Sequence, residues 1–192
     1  MPAPAWIGVL ERRAPDVVAC WLAADRLRDM RRELRRRAGP GTAPGVVAQQ
    51  EAVADALEAV LRAMPPDLLR APGGEGDWNV AQAFAHATGS RRWLVHAAAL
   101  AARGEWPADD PPRVRPGVPG PADADLDTLL TLLDKSRRSM ATSAAAIAGH
   151  EADRCPLDHP LVGRLRCGEW LLFAGVHDVM HLEQLHRLAG DG

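Results

Sequence analysis

His177 and His181 stand four residues apart within Glu169 to Leu188, a stretch whose apolar positions recur at helical spacing. On a helix, positions i and i+4 lie one above the other, so the two imidazoles share a face and can reach a single point off the helix surface. That face continues through Trp170, Phe173 or Ala174, Gln184 and Leu188, which is the face that must pack inward. Two inward imidazoles one turn apart have two chemistries open to them. They can ligate a divalent metal, or each ring can satisfy its polar atoms on a backbone carbonyl or a neighbouring side chain. The pair alone does not choose between these.

The elements that would position the pair follow from composition and punctuation. A chain of 192 residues suits one domain with an appendage and is long enough to bury a core. Apolar residues make up 47% and aromatics only 4%, so most of the apolar content is Ala, Leu and Val in long periodic segments, which favours helix over sheet and predicts an all-α fold. A net charge of −2 provides no general field for nucleic acid or anionic lipid. No apolar run approaches membrane-spanning length, and no basic segment followed by an apolar one opens the chain, so a cytoplasmic protein without a membrane partner is expected. Cys20, Cys155 and Cys167 are odd in number and lack metal-ligand spacing, which predicts free structural thiols.

Along the chain, Pro15 and Asp16 open a first amphipathic helix running to about Arg37, with Val17, Trp21, Ala24, Leu27 and Leu34 near helical spacing. Its end carries Arg31, Arg32, Arg35, Arg36 and Arg37. A basic helix C-terminus favoured by the dipole explains them without a nucleic-acid partner, because no aromatic is interleaved for stacking. The apolar stripe of this helix must be covered by its own bundle or by a second copy, as in a homodimer. A second helix spans Val46 to Met64 and stops at Pro65-Pro66. Residues 1–45 therefore read as an N-terminal helical extension and 46–192 as the main domain.

Asn79 and Gln82 form a capping-box pattern, with Trp78 at the staple position, opening a helix that reaches about Ala102. His86 lies on it, in an inward stripe with Gln82, Ala83, Ser90, Trp93 and Ala97. From Gly104 to Asp125 the chain is rich in Pro and Gly. Antiparallel bundle neighbours need only about two to eight connecting residues, whereas about twenty can run back along a whole bundle, so the helices before and after this stretch are expected to be parallel. The next helix covers Leu126 to Ala148, with Leu126, Leu129, Leu133, Met140, Ala144 and Ile147 inward. His150 to Arg166 reads as a loop containing His159-Pro160 and Gly163, and the last helix opens at Cys167-Gly168-Glu169 and ends at Gly190. His86 thus joins His177 and His181 from a facing helix, a common way for a bundle to build a metal site with an open coordination position.

Two blocks resemble the DinB-like metalloproteins, a family that includes bacillithiol S-transferases and mycothiol-dependent maleylpyruvate isomerases. The first is Trp78-Asn79-Val80-Ala81-Gln82-Ala83-Phe84-Ala85-His86, similar to the family's Trp-Ser-x-x-Glu-x-x-x-His helix start. The second is His159-Pro160-Leu161-Val162-Gly163-Arg164-Leu165 with Glu169-Trp170-Leu171 and His177-Asp178-Val179-Met180-His181-Leu182-Glu183-Gln184-Leu185, similar to the C-terminal signature. The likeness spans roughly Val46 to Leu188. It implies an up-down-down-up four-helix bundle with an extra N-terminal helix, and a divalent ion (zinc, nickel or iron) held by His86, His177 and His181. Gln82 and Gln184 are candidates to support those ligands, and His159 to line the pocket. His96, His150 and His186 match nothing in the pattern and are expected on the surface or in loops. Where the family typically has Ser and Glu, this chain has Asn79 and Gln82, which keeps the cap but removes a carboxylate. The isomerase branch is similar but has Glu where His177 stands, so the resemblance implies thiol transfer, with a low-molecular-weight thiol as co-substrate and a small electrophile as acceptor. A non-catalytic bundle that senses a metal or ligand is the alternative.

Overall fold

The computed structural model describes residues 5–73, 77–107, 114 and 117–190. Seven helices and one hairpin are present among them: α1 (Ala5–Arg13), α2 (Pro15–Leu22), α3 (Leu27–Arg37), α4 (Ala43–Ala63), α5 (Val80–Ala102), α6 (Leu126–Ile147), β1 (Arg154–His159), β2 (Gly163–Arg166) and α7 (Cys167–Ala189), with a 3₁₀ turn at Pro66–Arg70. No described helix is long and apolar enough to cross a membrane.

The four long helices form the expected bundle, and their directions can be read from hydrogen bonds. Asn79 Nδ2 donates to the carbonyl of Ala122 just before α6, and Arg91 twelve residues on reaches Ser136 in α6. Numbers rise together on both, so α5 and α6 are parallel. Gln50 of α4 donates to the carbonyl of Leu171, and a Cβ on Gly168 would meet the Ala38 carbonyl, which sets the starts of α4 and α7 side by side. Arg91 meets Asp178 while Gly73, ahead of α5, meets Gln184, so α5 and α7 run oppositely. The order is up-down-down-up. The middle of the Pro-rich connection, 108–113 with 115–116, lies outside the described residues, as do 74–76 in the Gly-rich loop.

The bundle is filled by the predicted stripes: Val53, Leu57, Val60 and Met64 on α4, and Leu129, Leu133, Met140, Ala144 and Ile147 on α6, with Leu126 only half-buried. Helix α4 begins three residues earlier than expected, at Ala43, because Pro44 is tolerated in a first turn whose N–H groups have no intrahelical partner. Glu151 from beyond α6 supplies one acceptor there, taking the Ala43 N–H. The Asn79–Gln82 capping box is formed in both directions, and Gly190 ends α7 with a left-handed φ of 85°.

Two regions differ from expectation. The single helix Pro15 to Arg37 is broken at residues 23–26 into α2 and α3, and α1 precedes it. No Gly or Pro marks the break, so tertiary packing imposes it. Helix α2 lays Val17 and Val18 on the bundle against α7 and α4, whereas α3 turns to bury Met30 and Leu34 and to reach the hairpin. The arginines fasten it there: Arg31 donates to the carbonyls of Val162 and Arg164, and Arg35 pairs with the buried Glu169. Arg32, Arg36 and Arg37 pair with Asp29, Glu33 and Asp16. One apolar cluster extends from Ile7 in α1 to Leu185 in α7.

The second difference is at His150 to Arg166, read as a loop. Residues 154–159 and 163–166 pair antiparallel, with His159 opposite Gly163 and a bulge between Arg154 and Asp158. Pro156 lies within that bulge, where a missing N–H breaks no ladder bond. Gly163 is favoured by its φ of +64°, and a Cβ there would also displace the far end of the Arg31 side chain, 2.9 Å away.

Candidate metal centre

His86 projects from the second turn of α5 and His177 and His181 from the middle of α7. Because those helices are antiparallel in the register just described, His86 falls level with the pair. Ring centroids are 5.5 Å apart for His86 and His177, 5.3 Å for His86 and His181, and 4.6 Å for His177 and His181. One nitrogen from each ring can be chosen so that all three lie within 4.8 Å of one another, close enough for one ion to serve all three.

Hydrogen bonding prepares the rings. His86 Nδ1 lies 2.8 Å from the carbonyl oxygen of Val118. A carbonyl only accepts, so Nδ1 carries the proton and Nε2 the lone pair. His181 Nδ1 lies 2.9 Å from Oε1 of Gln184, whose amide is oriented by donating to the Gly73 carbonyl. His181 therefore also has its lone pair on Nε2. Nδ1 of His177 is buried without a hydrogen-bond partner, 4.0 Å from Oδ1 of Asp178, which is likewise unpartnered. With the lone pairs of two rings fixed on Nε2, the three-ring set is compatible with holding one divalent ion. Burial first, and the neighbouring His177 second, pull the His181 pKa down to about 4, so this ring is neutral and competent to ligate at pH 7.

The remaining candidates fall in different places. His159 lines the same cavity, 5.5 Å centroid to centroid from Phe173. Its Nδ1 accepts the Leu161 N–H at 3.1 Å, and burial followed by His177 lowers its pKa to about 4. It is a neutral ring whose Nε2–H is a donor. Gln82 is engaged in the cap, where its Oε1 accepts the Asn79 N–H. Trp78 lies 5.0 Å from the His86 ring. His96 and His150 are exposed as expected, but His186 is not a surface residue: it is half-buried and stacked on Trp6 at 4.9 Å and 8°. Trp93 stands at the cavity edge, more exposed than its stripe predicts.

Sequence reasoning missed the layer beneath the imidazoles. Arg91 and Asp178, each with a side chain 1% exposed, form an ion pair, and Arg91 Nη1 also donates to Ser136 at 3.1 Å. Three helices are tied at one point directly under the site. Two opposite charges within the inward faces of α5 and α7 were the available signal, since ionised side chains are rarely buried without a partner.

The cavity in front of the three histidines measures about 1850 Å³. No cysteine lines it among the described residues, and Cys20, Cys155 and Cys167 are all buried.

The model of the DinB superfamily matches residues 49–185, which holds all three histidines and most of the bundle. The chain belongs to the DinB superfamily. Neither the curated proteins nor the solved structures contain a match to it. The DinB match begins inside α4, so α1 to α3 lie ahead of the region shared with the family.

Proposed function

We propose that this DinB protein is a metal-dependent thiol S-transferase, in which His86, His177 and His181 hold a divalent ion (zinc, nickel or iron) beside the meeting point of two small reactants. The observation that carries this reading is the convergence of three imidazoles, with two lone pairs fixed on Nε2, at a cavity of about 1850 Å³. Single small-molecule pockets are typically ~300–1,000 Å³, so there is room for a thiol and an acceptor together. Three neutral nitrogens would leave a divalent ion its full charge, and such an ion lowers the pKa of a thiol it binds so that the nucleophilic thiolate persists at neutral pH.

The chain's own residues supply orientation and shape. Gln184 and the Val118 carbonyl hold two rings in the ligating tautomer, and His159 offers an N–H donor to an acceptor group. Because no described cysteine faces the cavity, the sulfur would come from a low-molecular-weight co-substrate. The sulfur forms a bond to the electrophilic atom, the leaving group departs with its electron pair, and the thiol proton passes to solvent. The alternative, a non-catalytic sensor, needs a surface for a partner. The arginine run of α3 is a candidate for such a surface, but its side chains already pair with the Val162 and Arg164 carbonyls, Glu169 and neighbouring carboxylates, with Arg35 and Arg36 still more than half exposed.

The test is elemental analysis of protein purified without a His tag, followed by turnover of 1-chloro-2,4-dinitrobenzene with a panel of thiols. The proposal expects one bound ion and a thiol-dependent rate that is lost in His86→Ala. A bound ion without thiol turnover would favour the sensor.

A further inference from the structure

Seven large apolar side chains stand exposed among the described residues, and five of them, Leu27, Trp93, Val118, Leu161 and Met180, line the cavity in front of the imidazoles. Folding does not leave such a concentration on one concave surface by chance. The lining contributed by α7 runs from Phe173 to Leu188, roughly 22 Å at 1.5 Å per residue, with His177 and His181 between its ends. The two ends differ in chemistry. Beyond His181 lie Glu183 and Arg187, the only carboxylate and the only guanidinium among the described lining residues. Beyond His177, Phe173 lies 5.5 Å from the His159 ring, and Trp93 and the hairpin tip's Leu161 belong to the same lining. Arg31 clamps α3 to that tip through the Val162 and Arg164 carbonyls, and Leu27 and Met30 of α3 are part of the cavity lining. His159, the one titratable side chain among the described lining residues at this end, is neutral. Among the described residues, an arm lined without a formal charge therefore leads to the imidazoles, and α3, outside the stretch shared with the DinB family, contributes to the cavity lining.

We infer that this arm binds the apolar body of the acceptor, an aromatic or alkyl group of six or so carbons or more, and that Leu27 and Met30 of α3 help to set its size. The inference rests on the transferase reading for the identity of the acceptor, but not for the existence of the apolar arm. A hydrophilic thiol is left the opposite end, where Glu183 and Arg187, paired with each other at 3.7 Å and both partly exposed, present charged groups to it.

Two measurements separate this inference from the transferase reading. The first uses N-phenyl-1-naphthylamine, a neutral apolar fluorophore, with metal-free protein. Binding should brighten the dye, and Leu27→Ser/Leu161→Ser should weaken it at least tenfold, whereas Val9→Ser, exposed and outside the cavity, should not. All three side chains are already exposed, so the substitutions spare the fold. The second titrates zinc-loaded protein with straight-chain alkyl hydroxamates from two to eight carbons. Affinity should rise about fourfold per methylene as the tail enters the arm. Dye that fails to bind, or binds the double variant and the native protein equally, overturns the inference, as does a flat hydroxamate series on protein that holds zinc and turns over thiol. Sedimentation showing a dimer that Leu161→Ser dissociates, with no dye bound, would assign the patch to a second copy and also overturn it. Dye binding that depends on Leu27 and Leu161 in protein that takes up no zinc would leave the apolar arm standing and remove the metal reading instead.

Discussion

Each of the three histidines is held by a different means, and the differences make predictions. Gln184 fixes the His181 tautomer and is itself anchored on the Gly73 carbonyl. Removing a group that orients a ligand typically costs ~10–100-fold in metal affinity, so Gln184→Ala should weaken zinc binding by about that factor with the helical content unchanged. Calorimetric titration checks this, and an unchanged affinity would mean that Gln184 serves only the Gly73 loop. Acid sensitivity follows from His181 and His159, both lowered by burial from 6.5 to about 4. In the unfolded chain these rings take up protons near ~6.5. The depressed folded values therefore give stability that is present above the unfolded pKa and lost as pH falls through about 4. Metal-free protein should show a falling urea midpoint from pH 7.5 to pH 4.5, with a shallower fall in His159→Gln. A midpoint indifferent to pH would show that the rings are solvated.

At the scale of elements, the long helices were legible because periodicity, caps and breakers agree. Asn79 and Gln82 announce α5, Asp125 accepts the Thr128 N–H at the start of α6, and Gly190 closes α7. Asn79→Ala should cost about 1 kcal/mol by chemical denaturation, the usual worth of an N-cap. The hairpin was not legible because Pro156 and the His159-Pro160 turn interrupt the alternation that marks a strand, and only the bulge in three dimensions explains how Pro is accommodated. The break between α2 and α3 has no local signal at all. Arg91 and Asp178 define the join of α5, α6 and α7, and breaking a buried pair leaves the other charge unmatched. Arg91→Ala or Asp178→Ala should lose roughly 3–5 kcal/mol, whereas Arg91→Met with Asp178→Leu should recover most of it. A loss below 1 kcal/mol would show that water reaches the pair.

On the scale of the whole molecule, topology delivers the site. Only a long crossover can make α5 and α6 parallel, and that arrangement leaves α5 antiparallel to α7 with His86 level with His177 and His181. The length of the Pro-rich stretch made this readable in advance. The three ligand candidates were readable too, because the spacing within α7 and the Trp78 to His86 block each constrain them. What the sequence does not display is the space in front of them. The cavity is built by residues distant in the chain, from Leu27 to Leu161 and Trp93, and the arginines that hold α3 over it looked locally like a solvated helix end. The central claim, that His86, His177 and His181 bind one divalent ion in this fold, is tested most directly by melting the protein with and without added zinc at pH 8 and pH 5. Protons compete with the ion at each imidazole, so zinc should raise the melting temperature at pH 8 and do much less at pH 5, and His181→Ala should abolish the difference. Coincident melting curves with and without zinc at pH 8, or a full response retained in His181→Ala, would contradict the claim and return the three rings to the core as structural histidines.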